Sequence, residues 1–177
     1  MKLLAKSLEV YPDGILEIGT EKEPHMQRAI ISLWGAASQS FPTLISMGVE
    51  WGKKLIGVYG GEISLHGISY GRTWGFLKES IIPDVTGKEL NVLDDVSGWP
   101  QWGTIMISTS EYPDQPGAVT EIRRIRWAPV YYEGEKRTRI ELDKALDYHH
   151  FAGEVHNGVF LRSTVHLLDR SIMIATE

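Results

Sequence analysis

The side chains able to do chemistry gather in a few places along the chain. Four of the six histidines, His149, His150, His156 and His166, fall in the last third, with Glu154 among them. His150, Glu154 and His156 offer the nitrogen and oxygen donors that a catalytic zinc or iron site uses. Their spacing fits no metal signature, and adjacent His149 and His150 point apart on any regular element. The absence of cysteine removes thiolate sites, thiolate catalysis and disulfides together. Neither a structural metal nor a cofactor is therefore expected. Glu62, Ser64 and His66 alternate, so they share one face of a regular strand. With Arg72 and the late histidines they form the candidate set for a small-ligand enzyme or sensor, and whether that face lines a pocket or meets solvent is left open.

Other residues suit recognition better than turnover. Four of the six tryptophans precede glycine, at Trp34-Gly35, Trp51-Gly52, Trp74-Gly75 and Trp102-Gly103. Their spacing is too irregular for a propeller or solenoid repeat. Trp99-Pro100-Gln101-Trp102 stands out because it ends the longest expected loop, where Pro and Gly resist regular burial. Trp99 and Trp102 are thus expected to be at least partly exposed and to contribute to binding a partner or ligand. Arg123, Arg124, Arg126, Lys136, Arg137 and Arg139 hold six of the 18 basic residues. On two paired strands they would form a positive strip for a phosphate, a nucleotide or an acidic protein surface. The opposing expectation is a solvated sheet face paired with Glu121, Glu133, Glu135 and Glu141.

One ordered set has more chemical content. Arg72, Ser108-Thr109-Ser110 and Glu133-Gly134-Glu135 follow one another in an order that resembles the Arg, Ser-Thr-Ser, Glu-x-Glu series of the ADP-ribosyltransferases. The resemblance implies that Arg72 holds an NAD diphosphate, Ser108 supports the nicotinamide pocket, and Glu135 stabilises an oxocarbenium-like ribose. It covers seven residues, and the interval from Ser110 to Glu133 is shorter than that family's. Catalysis is therefore undecided at this level. Gly67-Ile68-Ser69-Tyr70-Gly71 has the pattern of a nucleophile elbow, but the bulky Arg72-Thr73-Trp74-Gly75-Phe76 follows where that elbow needs a helix.

The elements that must position these residues read as α+β. Leu3 to Val10 and Ile15 to Thr20 flank Tyr11-Pro12-Asp13-Gly14, whose residues have turn chemistry, and predict an N-terminal β-hairpin. Thr20 and Glu23 have capping-box spacing, and Met26, Ile30, Leu33, Trp34 and Ala37 repeat at helical period, predicting a helix over 24–39. Residues 42–56 read either as a second helix or as a strand pair turning at Gly52-Lys53-Lys54. Beyond them, strands are predicted at Thr104 to Ser110, Val119 to Tyr132, Arg137 to Leu142, Val159 to Leu167 and Ser171 to Thr176. Residues 83–103 read as a loop, and Asp143 to His150 as a short helix. The expected architecture is a single domain over 1–177, a mostly antiparallel curved sheet on which one or two helices from about 24–56 pack.

A chain of 177 residues with 42% apolar and 23% charged residues suits one globular core. Its net charge of −5 argues against general nucleic-acid binding, which needs broad phosphate neutralisation. No apolar run approaches a membrane span, and Lys6 and Glu9 interrupt any leader-like stretch, so a soluble cytoplasmic protein is expected. The leading functional expectation is a non-catalytic binding module that recognises another protein through the Trp loop and the basic strip. In size and composition it resembles bacterial immunity and inhibitor proteins, whose partner would be a toxin or enzyme. The alternative is a small-ligand or nucleotide-binding enzyme or sensor with a pocket in the curved sheet.

Overall fold

The structure is a computed structural model that describes residues 1–35, 44–45, 49–50, 54–110 and 119–176, the residues at 44–45 and 49–50 by their backbone alone. Eight short strands come first: β1 (Lys2–Ala5), β2 (Leu8–Val10), β3 (Ile15–Ile18), β4 (Ala29–Leu33), β5 (Leu44–Ile45), β6 (Val49–Glu50), β7 (Ile56–Val58) and β8 (Glu62–Leu65). Then follow β9 (Trp74–Phe76), one helical turn α1 (Pro83–Thr86), β10 (Glu89–Val92), β11 (Thr104–Ile107), β12 (Glu121–Arg124) and β13 (Val130–Tyr132). The chain closes with β14 (Arg137–Glu141), β15 (Ala152–His156), β16 (Val159–Arg162), β17 (Thr164–Leu167) and β18 (Ile172–Thr176). Two compact units result, Met1–Ser69 with Arg170–Glu177, and Tyr70–Asp169.

The first unit is built from parallel coils. β1, β2 and β3 form one coil, and β4, β7 and β8 stack on them strand for strand as parallel pairs β1 with β4, β2 with β7 and β3 with β8. β18 then lies parallel on the other edge of β4 and opens a third coil. Ile18, Ala29 and Ile31 are buried at the centre, with Leu3, Leu16, Ile56, Leu65 and Ile172 packed around them. The second unit occupies the return from β8 to β18 in sequence. Its strands pair antiparallel, in a four-stranded sheet ordered β12-β11-β17-β9, a three-stranded sheet β10-β14-β13 and the hairpin β15-β16. Leu77, Leu90, Val92, Trp99, Ile105, Ile107, Ile140, Leu142 and Leu167 are among the residues of its single apolar core.

The expected α+β class is corrected to an almost wholly β structure made of several small sheets. Three local signals account for the difference. Thr20 and Glu23 do make the capping contact, Thr20 Oγ1 accepting the Glu23 N–H at 2.9 Å, but Thr20 N–H also donates to Glu23 O, so the motif closes a turn and starts no helix. Downstream, Ala29, Ile31 and Leu33 are buried on β4, which has a strand on each side, so a continuous apolar run replaces the helical period. Over 42–56 the described residues include β5, β6 and the start of β7, with Lys54 and Leu55 in a bend and connection before β7, and none is helical; the turn residues Gly52 and Lys53 lie outside the described residues.

The N-terminal hairpin is corrected as well. The Tyr11 to Gly14 turn forms, with the Gly14 N–H donating to Tyr11 O at 2.9 Å and Asp13 at φ +66°. It is a corner, however, because Val10 and Ile18 both turn inward and the flanking strands pair with β7 and β8 and not with each other. No helix forms over Asp143 to His150, where carboxylates capture the backbone donors. Asp143 Oδ1 accepts the Lys144 N–H, and Glu121 accepts those of Asp147 and Tyr148.

Candidate functional site

The four-stranded sheet carries apolar side chains outward as well as toward the core, although β12 turns Glu121 and Arg123 to the core face. Gly75, Ile105, Ile107, Val165 and Leu167 alternate inward to the core. The intervening positions place Trp74, His166, Met106 and Ile122 in one cross-strand row on the outward face, since Trp74 registers with His166, His166 with Met106, and Met106 with Ile122. Phe76 meets Trp74 edge to face at 5.2 Å between ring centroids, and His166 lies nearly parallel to the Trp74 ring at 6.3 Å. The Arg72 guanidinium sits over the Trp74 indole and is tied to Asp94. His166 Nε2 hydrogen-bonds Thr164 Oγ1 at 2.8 Å, which fixes the imidazole against the row.

Trp102 stands at the entry to β11, where its backbone adopts φ +64°, a left-handed conformation that costs a bulky residue free energy. The loop holds it there by three contacts: Trp102 N–H to Ile125 O at 2.8 Å, Ile125 N–H to Gly103 O at 2.9 Å, and Gln101 Nε2 to Arg126 O at 3.1 Å. These bonds stitch the Trp102 loop to the segment carrying Arg126 and Trp127, whose side chains stack on each other. Trp102 is 57% exposed and Trp127 is also exposed. Trp99, three residues earlier, is 1% exposed, with its indole N–H donating to Arg72 O at 2.6 Å, which corrects the expectation that both indoles of the loop are exposed.

Two of the four Trp-Gly pairs acquire a local reason, whereas a Cβ on Gly35, at φ +107°, would meet nothing within 4 Å. A Cβ on Gly75 would stand 2.5 Å from a Val92 methyl, and one on Gly103 would stand 2.8 Å from Pro100 O. In both pairs glycine takes the crowded inward position while the tryptophan beside it points out. Trp51 lies outside the described residues.

The arginines of the expected strip divide between two sheets, Arg123 and Arg124 on β12 and Arg137 and Arg139 on β14. Arg123 pairs with Glu121 and Asp147, Arg126 with Glu141, Arg137 with Glu135, and Arg139 with Glu89. Arg124 has no carboxylate partner for its guanidinium among the described residues, and it lies on the outward face two positions from Ile122. With Thr104, Ile122, Arg123, Asp143 and Lys144 it lines a depression of about 360 Å³, and its backbone N–H donates to Asp143 Oδ1 at 3.0 Å.

The residues of the transferase-like order each have a local partner. Arg72 holds Asp94, Ser108 Oγ accepts the Thr164 N–H at 2.8 Å, and Glu135 pairs with Arg137 beside a short 3₁₀ turn. Among the titratable residues, His66 Nε2 lies 3.1 Å from Ser64 Oγ in the first unit, and Glu62 is exposed there. His150 is fully buried, its Nδ1 bonded to Ser108 O at 2.8 Å and its Nε2 2.9 Å from Glu121 Oε1. Glu154 accepts the Gly158 N–H in the β15-β16 turn, and His156 is exposed on that hairpin. Burial alone would raise the Glu121 carboxyl, but two backbone N–H donors, His150 and the Arg123 charge together hold it below the usual carboxylate range.

Sequence reasoning singled out Trp102 and Arg124 as candidates and did not single out the row from Trp74 to Ile122. The signal was present as the alternation Thr104, Met106 against Ile105, Ile107, but which parity faced solvent depended on the partner strands. The comparisons with known proteins bear on the whole chain. Residues 1–78 match the G8 domain. That stretch covers β1 to β9, all of the first unit except β18 and its approach. A Dictyostelium discoideum protein is 30% identical over 98% of this chain, and fibrocystin-L from Homo sapiens and Mus musculus is 27% and 28% identical over the same share. The chain spans 16% of the length of the Dictyostelium protein and 4% of each fibrocystin-L. The G8 match and the fibrocystin-L alignments point to an extracellular-type domain of eukaryotic proteins, which corrects both the cytoplasmic expectation and the bacterial immunity-protein analogy.

Proposed function

We propose that this chain is a non-catalytic binding module that recognises a partner protein through the outward face of the β12-β11-β17-β9 sheet and the Trp102 loop at its end. The observation that carries the reading is Trp102 itself: a large side chain more than half exposed, held in a costly backbone conformation by three stitching hydrogen bonds. Strain retained at an exposed aromatic residue marks preorganisation for contact, because folding alone gains nothing from it. The apolar row of Trp74, Met106 and Ile122 supplies area beside it, and Arg124 supplies a guanidinium with no ion pair among the described residues at the rim. Tryptophan and arginine are also the residue types that dominate binding hot spots.

Flow cytometry with the labelled chain on intact cells tests this reading. Saturable binding that protease treatment of the cells removes, and that Trp102→Ala weakens at least tenfold without lowering the melting temperature, is the expected result. Binding that survives the protease, or that is indifferent to both Trp102→Ala and Ile122→Asp, contradicts it.

A further inference from the structure

Two cations share the depression at the β12 side of the outward face. Of the basic side chains that line it, Arg123 is committed to Glu121 and Asp147, whereas Arg124 and Lys144 are exposed and make no ion pair among the described residues. Like charges in one wall repel each other, so folding alone gains nothing from bringing them together.

A single carboxylate fixes the backbone beneath both of them. Asp143 Oδ1 accepts the Arg124 N–H at 3.0 Å and the Lys144 N–H at 2.9 Å, and the Asp143 N–H returns to Arg124 O at 2.9 Å. Arg123 Nε donates to Ala145 O at 2.9 Å, so three hydrogen bonds clamp the segment after β14 to β12. Arg124 and Lys144 thus reach one place from two elements whose mutual position is set. Thr104, the direct cross-strand partner of Arg124, adds a hydroxyl on the same face.

We propose, resting on the reading of the outward face as the recognition surface, that this depression is its anion subsite and takes one carboxylate, the side chain of an Asp or Glu beside an apolar residue in the partner protein. With Arg123 already neutralised, Arg124 and Lys144 stand against the one lining carboxylate, Asp143, which leaves a single positive charge to be matched. A carboxylate matches it, whereas a phosphoryl dianion sets its second charge against Asp143. The Arg124 guanidinium can hold both carboxylate oxygens in a fork, and Lys144 adds a point charge. At about 360 Å³ the depression lies at the lower end of the range of ligand pockets, about 300 to 1,000 Å³, and admits a whole acidic side chain. Ile122, 56% exposed, is both a wall of the depression and the last member of the apolar row, so the residue next to the acid meets an aliphatic surface.

The probes are two capped peptides, acetyl-Gly-Asp-Leu-Gly-amide and its Asn counterpart, titrated into the full chain while the backbone amide resonances of Thr104, Ile122, Arg124 and Lys144 are followed. The Asp peptide should shift them saturably at millimolar concentration and bind at least tenfold tighter than the Asn peptide. Arg124→Gln combined with Lys144→Gln should remove that preference and leave the melting temperature in place, since both side chains are exposed. Arg139→Gln, whose charge Glu89 already holds on the other sheet, should leave the preference intact. Equal binding of the two peptides, or a preference that survives the double substitution, overturns the proposal. Inorganic phosphate that shifts the same amides at lower concentration than the Asp peptide also overturns it, by giving the site to phosphoryl groups. On intact cells, binding that Trp102→Ala weakens and the double substitution leaves untouched overturns the carboxylate subsite alone. Indifference to both Trp102→Ala and Ile122→Asp overturns the recognition face and the subsite with it.

Discussion

Glu121 sits on the core face of β12, where an alternating strand would ordinarily carry an aliphatic residue, and its environment repays the burial with two backbone N–H donors, His150 and Arg123. A carboxyl whose folded pKa lies below its unfolded value contributes stability that is complete above the unfolded pKa and lost as pH falls through the folded one. Denaturant melts should therefore show constant stability near neutral pH and a decline that begins below about pH 5. Glu121→Gln should flatten that acid limb; at neutral pH, removing one partner of so buried a pair should cost about 3–5 kcal/mol. The two tryptophans of the loop separate cleanly by the same measurement. Trp99→Ala should cost about 3–5 kcal/mol through loss of core packing. Trp102→Gly should leave stability unchanged or raise it by up to about 1 kcal/mol, since glycine accepts the left-handed backbone that tryptophan does not. The same change should abolish partner binding, and a large loss of stability would show that Trp102 is a structural residue.

At the level of elements, the four-stranded sheet presents its outer row only because the inner row is filled to contact. Gly75 lies against Val92 and Asp94 so closely that even a methyl group has no room. Gly75→Ala should force β9 outward and cost about 1–3 kcal/mol, as overpacking does, and thermal melts will read it directly. Because Trp74 and Phe76 flank Gly75, the same shift should also weaken binding at the outer face. An unchanged melting temperature would mean that β9 yields freely and does not hold Trp74 in place.

Across the whole molecule the charge is negative, yet most arginines of β12 and β14 are spent on carboxylates within reach. Arg124, on the outward face, is one cation that has no carboxylate partner among the described residues and can act at longer range. If it steers a partner to the sheet, Arg124→Glu should slow association and reduce its salt dependence, since exposed charges act within a Debye length of about 8 Å at physiological ionic strength. Arg139→Glu should have little effect on the rate, because Glu89 already pairs with Arg139. Stopped-flow or surface-based kinetics at two salt concentrations distinguish the two variants. Equal effects would mean that total charge, and not position, governs the encounter.

Local chemistry determined the corner at Tyr11 to Gly14, the turn at Thr20 to Glu23 and most of the strands after Thr104, because each depends largely on neighbours within a few residues, whereas Trp102 is held in place by Ile125 and Arg126. Pairing partners were a different matter. A run such as Ala29 to Leu33 satisfies a helical or a strand pattern equally, and only the flanking β1 and β18, from 28 to 143 residues away in register, select the strand. The parity of the outward sheet face, the burial of Trp99 and the pairing of each arginine were likewise decided by tertiary contacts. The physical reason is that hydrogen-bond ladders between distant strands satisfy the backbone as well as a helix does, so the choice falls to side-chain burial that no local window contains.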